Sequence, residues 1–125
     1  MTDADADAWA WPDSLDALVA AAEFHRLVLE TDEVRVLETR IGPGKTVPLH
    51  THRWPSVLYV VAPGHVVRRD DEGRLLTDTR ATNTLAELGT ATWIPAMPPH
   101  TVENVDASEI RLLNVELKQA ARPAR

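Results

Sequence analysis

From Phe24 onward, short segments rich in Val, Ile, Thr and Leu are interrupted at intervals by turn residues. Runs of this composition fit the pleated surface of a strand, and the interruptions fix where the chain must reverse. The pattern predicts strands over 26–30, 34–41, 46–52, 56–62, 65–69, 74–78, 90–95, 100–104 and 110–117, with turns at Thr31-Asp32-Glu33, Gly42-Pro43-Gly44, Arg53-Trp54-Pro55, Pro63-Gly64, Asp70 to Gly73, Ala81 to Gly89, Met97-Pro98-Pro99 and Asp106 to Glu109. So many short strands imply a sandwich or barrel. Two sheets that each bury one face around a small central cavity give an all-β fold, a small antiparallel jelly-roll β-barrel.

Ahead of this region, Leu15, Leu18, Val19 and Ala22 recur at helical spacing behind Pro12, and Asp13 and Asp16 suit the positive end of a helix dipole. A short amphipathic N-terminal helix lying over a sheet is expected. Residues 1–10 read as a loose Asp- and Ala-rich leader, anchored by Trp9 and Trp11, and 119–125 as a peripheral tail. The 11–118 segment is then one domain, since 125 residues with 44% hydrophobic content supply one core and not two.

Composition narrows the function classes. Nineteen acidic residues against 13 basic ones, with no block of five like charges, argue against nucleic-acid binding. No run of 18 apolar residues and no secretory signal is readable, so no membrane partner and a cytoplasmic location are expected. The absence of cysteine excludes a disulfide scaffold, a thiolate zinc site and a cysteine nucleophile. No Gly-x-Ser-x-Gly turn, His-Glu-x-x-His motif, phosphate loop or dinucleotide fingerprint occurs.

What remains is histidine. His50 and His52 stand two apart on a predicted strand, which sends both imidazoles to one side at about 7 Å between Cα atoms. An ordinary half-exposed pair has the same spacing. His100, which follows the stiff Met97-Pro98-Pro99 turn, is the candidate third ligand, whereas His25 and His65 lack the pairwise relationship. Imidazole suits zinc, iron, nickel or copper.

Gly44, His50, His52 and Gly64, together with Gly89, Pro95, His100 and Asn104, follow in order and spacing the two motifs of the cupin superfamily, which the chain resembles. Two positions depart from the motifs: Val57 stands where the first has glutamate, and Met97 where the second has glycine. The stretch His50 to Ser56 and the end Val115 to Lys118 resemble, more narrowly, small single-domain cupins labelled beta-alanine degradation proteins. The resemblance implies His50, His52 and His100 as ligands of one divalent transition metal (iron, zinc or nickel) without the usual carboxylate. It allows a three-histidine dioxygenase or lyase acting on a small carboxylated metabolite, and equally a non-enzymatic cupin that binds or senses a small ligand.

If Val57 faces the cavity, alternation puts Tyr59 on the same side, where its hydroxyl would orient a substrate or donate a proton; a packed aromatic is the alternative. Trp54 is placed at the pocket rim or in packing, Met97 at the cavity mouth, and Asn104 either in the cavity or as a turn-adjacent structural amide. Arg111 is a distant candidate for a substrate carboxylate, with a solvated or interface arginine as the other reading. Arg68-Arg69 beside Asp70-Asp71-Glu72 reads as a solvated hairpin. Aliphatic outer strand faces, the helix and exposed tryptophans lead to the expectation of a homodimer.

Overall fold

Side chains alternate along β2 (Val34–Ile41), where Arg35, Leu37, Thr39 and Ile41 are buried and the intervening residues are less so. The computed structural model describes residues 9–118. Across from β2 lies β9 (Ile110–Leu117), antiparallel and in unbroken register from Val34 opposite Leu117 to Ile41 opposite Ile110. Residues directly opposite share a face. Ile110, Leu112, Asn114 and Glu116 therefore face inward with the buried residues of β2.

These two strands are neighbours in a five-stranded sheet of order β1-β2-β9-β4-β7, completed by β1 (His25–Glu30), β4 (Ser56–Ala62) and β7 (Ala91–Ile94). A four-stranded sheet of order β3-β8-β5-β6 consists of β3 (Thr46–His52), β5 (Val66–Asp70), β6 (Leu75–Asp78) and β8 (Met97–Asn104). All pairings within both sheets are antiparallel. Ile41 and Ile110 from the first sheet pack with Val47, Val66 and Val102 from the second, so the inner faces meet as in a jelly roll.

The predicted strands occur, four of them with the expected bounds: 34–41, 46–52, 56–62 and 110–117. One element was not expected, the short helix α2 (Thr79–Thr82), which follows the strand predicted over 74–78 and runs into the turn read from Ala81 to Gly89. β8 begins at Met97, so the predicted Met97-Pro98-Pro99 turn is already strand. Trp9 and Trp11 pack edge to face at 4.8 Å, while residues 1–8 of the predicted leader and the whole 119–125 tail lie outside the described residues.

The N-terminal helix departs further from expectation. Asp13–Leu15 form a 3-10 turn and α1 (Ala17–Ala20) a single α turn, separated by Asp16 at φ −55°, ψ 144°. Asp16 bridges to Thr51 of β3 in parallel sense and caps the second turn through the backbone N–H of Leu18 at 3.0 Å. A continuous helix would carry that carboxylate away. The buried stripe is Ala17 and Ala21, small enough to seat the backbone closely on the sheets, and Val19 is 62% exposed instead of facing them.

Two glycines are required by the folded chain. Gly44 adopts φ +72° in the turn before β3, a region costly for a residue with Cβ. At Gly64 an added Cβ would run into Cγ1 of Ile110 in the apolar core. Gly64→Ala is expected to cost about 1–3 kcal/mol through overpacking. Equilibrium urea denaturation checks this, and an unchanged midpoint would contradict so close an approach.

Candidate metal centre

Four imidazoles gather inside the fold. β3 directs His50 and His52 inward, the register of β8 sets His100 directly opposite His50, and His25 enters from the start of β1. Ring centroids lie 5.1 Å apart for His50 and His52, 4.3 Å for His50 and His100, 5.0 Å for His25 and His50, and 5.4 Å for His25 and His52. The trio His25, His50 and His52 offers ring nitrogens all within 4.8 Å of one another, spacing that could hold a metal ion. His100 lies beside His50, its ring tilted 49° to that of His50.

His25 was excluded on sequence spacing, and the structure corrects that reading. It is the sole buried residue of β1, whose other five positions are exposed. Nothing in the local sequence announces this. The ring arrives through the pairing of His25 with Thr39, a contact between strands whose register only the fold sets.

Each ring is held by its Nδ1. In His50 and His100 it lies 2.7 Å from the carbonyl oxygen of the proline two residues earlier, Pro48 and Pro98. In His25 it lies 3.0 Å from the Ala21 carbonyl, and in His52 2.8 Å from Oε2 of Glu116. Since carbonyls and carboxylates only accept, each Nδ1 carries the proton and donates it. Nε2 is then the lone pair each ring has to offer. This is the arrangement that orients metal-binding histidines and raises their basicity toward an ion.

Three of the rings, His25, His50 and His100, are also kept neutral. Burial pushes His50 down to about 2, with the neighbouring His100 and His52 adding to the effect. Burial likewise lowers His100 to about 3 and His25 to about 4, the latter reinforced by His52. A neutral imidazole is the form that coordinates.

Behind His52 lies a buried charge network. Glu116 is 0% exposed, and its Oε1 accepts from Nε of Arg35 at 2.5 Å while its Oε2 takes His52. Both Nη atoms of Arg35 reach the two oxygens of Asp16 at 2.9 Å. Burial alone would raise Asp16, but the hydrogen bonds and charge of Arg35 outweigh it and hold the carboxyl below its ordinary value. For Arg35 burial opposes the charge and the two carboxylates reverse that, so the guanidinium is held above its ordinary range. Two carboxylates against one guanidinium leave the network net negative beside the imidazoles, which favours a cation there.

The remaining sequence candidates separate by face. Ser56 lies opposite the inward Glu116, so Val57, opposite Val115, points outward. Tyr59 shares that outer face and is 43% exposed. The assumption that Val57 faces the cavity therefore fails, and with it the assignment of Tyr59 as a proton donor; Ser56 and Leu58 hold the inward positions. Arg111 is also on the outer face, where Nη2 meets Glu38 at 3.2 Å, and not in a substrate pocket. Asn104 is fully buried but spent: Nδ2 donates to the carbonyls of Ile41, Gly42 and Ser108, and Oδ1 accepts from Asp106 N–H. It is the turn-adjacent structural amide and not a pocket residue. Trp54 lies beneath the guanidinium of Arg35 at 5.1 Å and borders a 220 Å³ cleft with Asp16 and Thr51. Met97 and His100 line a 510 Å³ cavity together with Arg68, which was read from sequence as part of a solvated hairpin.

No protein-family model matches the sequence, and no curated protein matches it. Solved structures do match the fold. A cupin domain protein from Bordetella pertussis superposes with a TM-score of 0.63 at 22% identity, over 75% of this chain and 91% of that one. The fold is a cupin fold. A second match is an uncharacterised conserved Klebsiella pneumoniae protein with a double-stranded β-helix domain, at TM-score 0.54 and 18% identity over 77% of each chain. A third is the polyketide cyclase RemF from Streptomyces resistomycificus, at TM-score 0.51 and 24% identity over 80% of this chain and 66% of that one. At these identities the likeness concerns the cupin architecture. The narrower likeness to beta-alanine degradation proteins finds no counterpart among these structures.

The histidine shifts have a consequence for the metal-free protein. His25, His50 and His100 titrate near 6.5 when unfolded but at about 4, 2 and 3 when folded, so between these values the unfolded chain binds more protons. Stability is therefore full above about pH 6.5 and is lost as pH falls toward 4, by at most about 1.4 kcal/mol per histidine per pH unit. Urea denaturation of chelator-treated protein at pH 7.5, 6 and 5 should show falling midpoints. A flat profile would contradict the buried neutral rings.

Proposed function

We propose that the histidine cluster binds one divalent transition metal and that the protein is a metal-dependent enzyme acting on a small molecule. The observation that carries this reading is the set of four buried imidazoles, each with Nδ1 engaged by a carbonyl or carboxylate and Nε2 left to coordinate. The donor set fits iron, zinc or nickel. An ion bound by neutral imidazoles keeps its full charge and supplies Lewis-acid or redox chemistry to a ligand in an open position. The chain's own contributions are the orientation of the rings by the Pro48, Pro98 and Ala21 carbonyls and the negative charge that Glu116 presents behind His52. A dioxygenase or lyase reaction is the finer form of this reading, and RemF supports enzymatic use of the fold in one relative.

One observation favours the second reading, a non-enzymatic binding or sensing protein. Both oxygens of Glu116 are committed and Tyr59 lies outside, so no side chain assigned from sequence serves as a proton shuttle at the cluster. The enzyme reading then places the chemistry on the ion alone.

Protein loaded with Fe(II), Zn(II) or Ni(II) and desalted should hold close to one metal per chain by elemental analysis. His25→Ala, His50→Ala and His52→Ala should each weaken binding about 10–100-fold or more, the scale already seen when only an outer-shell partner is removed. Absence of stoichiometric metal would overturn the proposal. Oxygen uptake by the iron form on adding small carboxylic metabolites, or anaerobic product formation by any form, supports the enzyme; metal-dependent ligand binding without product supports the binding protein in its place.

A further inference from the structure

Arg68 is the anomaly among the arginines. It lies on β5 opposite Val102, two residues from Val66, and both valines pack against the apolar core, so its side chain also faces inward. Its Nε is buried without a hydrogen-bond partner. Among the described residues it forms no ion pair, whereas Arg35 is held by Asp16 and Glu116, Arg26 and Arg40 by Glu38, and Arg74 by Glu72. Arg111 shares an orphaned Nε, but its fork is held by Glu38 on the outer face. Burial pulls the Arg68 guanidinium below its ordinary value, and no carboxylate counters that pull. Arg68 as a whole is half-buried, and leaving its buried Nε–H unpaired costs stability; such costs persist where a ligand uses the group.

The setting says what kind of ligand. Arg68 lines the 510 Å³ cavity whose wall includes His100, and the His100 ring centroid lies 4.3 Å from that of His50. Leu76, Ile94, Met97 and Pro98 give the cavity an apolar surface. A guanidinium presents parallel N–H donors that match a carboxylate. Asp70 and Asp71 also border the cavity, so their charge opposes any anion there, and a dianion such as a phosphate monoester more than a monocarboxylate. Oδ1 of Asp70 is occupied by the backbone N–H groups of Glu72 and Arg74.

We propose that Arg68 anchors a small monocarboxylate with an apolar body in this cavity, holding it against His100. The proposal rests on the reading of the histidine cluster as a ligand-binding centre and names the ligand class for it. Arg68 takes the part that sequence reasoning gave to Arg111.

Butyrate and its neutral isostere butyramide separate the charge from the shape. In titrations of chelator-treated protein followed by calorimetry and by the Arg68 Nε–H resonance, butyrate should bind saturably and butyramide about tenfold more weakly or worse. Arg68→Gln should lose the preference, Arg68→Lys should keep part of it, and Arg111→Gln should leave it unchanged. Equal binding of acid and amide, or a preference that survives Arg68→Gln, would overturn the proposal, and so would inorganic phosphate competing as well as butyrate. Arg68→Met should raise the Tm of the ligand-free protein, because it removes an unpaired, half-buried charge; a lowered Tm would mark Arg68 as a structural residue and also overturn it. Butyrate binding confined to the zinc-loaded protein and indifferent to Arg68→Gln sinks this inference while the metal reading stands. Arg68-dependent binding to a protein that takes up no metal does the reverse.

Discussion

Glu116 occupies the most constrained position in the molecule. Its carboxylate is removed from water, and that cost is met by Arg35 on one oxygen and His52 on the other. Arg35 passes the constraint on, because its remaining donors must also find acceptors and Asp16 supplies both. Asp16 can do so only by leaving helical geometry, which is why the N-terminal helix is broken there. One buried carboxylate thus sets the path of the N-terminal segment, the side of Trp54 that faces a cation and the tautomer of His52. Segments as distant in sequence as Asp16, Arg35, His52 and Glu116 close into one network, and none of its members has a local partner that could substitute.

The inner face of the β2–β9 pair shows how such a network is tolerated. Moving from Ile41 and Ile110 through Thr39 and Leu112, then Leu37 and Asn114, to Arg35 and Glu116, the face passes from apolar to ionic within one uninterrupted register. The apolar end carries the packing against Val47, Val66 and Val102. The polar end gains little from burial and is positioned by the same ladder hydrogen bonds, with Thr39 and Asn114 bonded to each other at 3.0 Å between the two regimes. Stability made at one end holds the geometry required at the other.

Strand positions were legible because they depend on local composition and turns. Four strands have the expected bounds, and the two-sheet jelly roll followed. His50 and His52 were legible for the same reason, as period two places them on one side whatever the strand pairs with. Facing was legible only where an anchor was known. On β4 the motif match suggested Val57 as inward, but the pairing of Ser56 with Glu116 puts the other parity inside, and Tyr59 went with it. His25 and Arg68 were lost to a different cause. His25 had no histidine at ligand spacing and Arg68 read as part of a solvated hairpin, and each is turned inward by a strand pairing that only the completed sheet supplies, with Thr39 for one and Val102 for the other. Val19 erred in the opposite direction, since a helix of a single turn presents no stripe wide enough for helical spacing to describe.

Buried polar groups in this fold fall into two kinds, and the division separates architecture from site. Asn104 uses both ends of its amide, Arg35 uses its whole fork, and Glu116 uses both oxygens; removing any of them would strand its partners, and none has capacity left for a ligand. The histidines and Arg68 are different. Each ring has committed Nδ1 and keeps Nε2, while the buried Nε of Arg68 has no partner. A fold that satisfies its buried polar groups elsewhere and leaves these together loses stability that simple hydrophobic replacements would restore. The open valencies also meet at one residue, since the His100 ring lies 4.3 Å from that of His50 and also borders the Arg68 cavity. Cation-seeking nitrogens and an anion-seeking guanidinium that share one ring as neighbour are what a site needs if it is to hold an ion and a carboxylate at once.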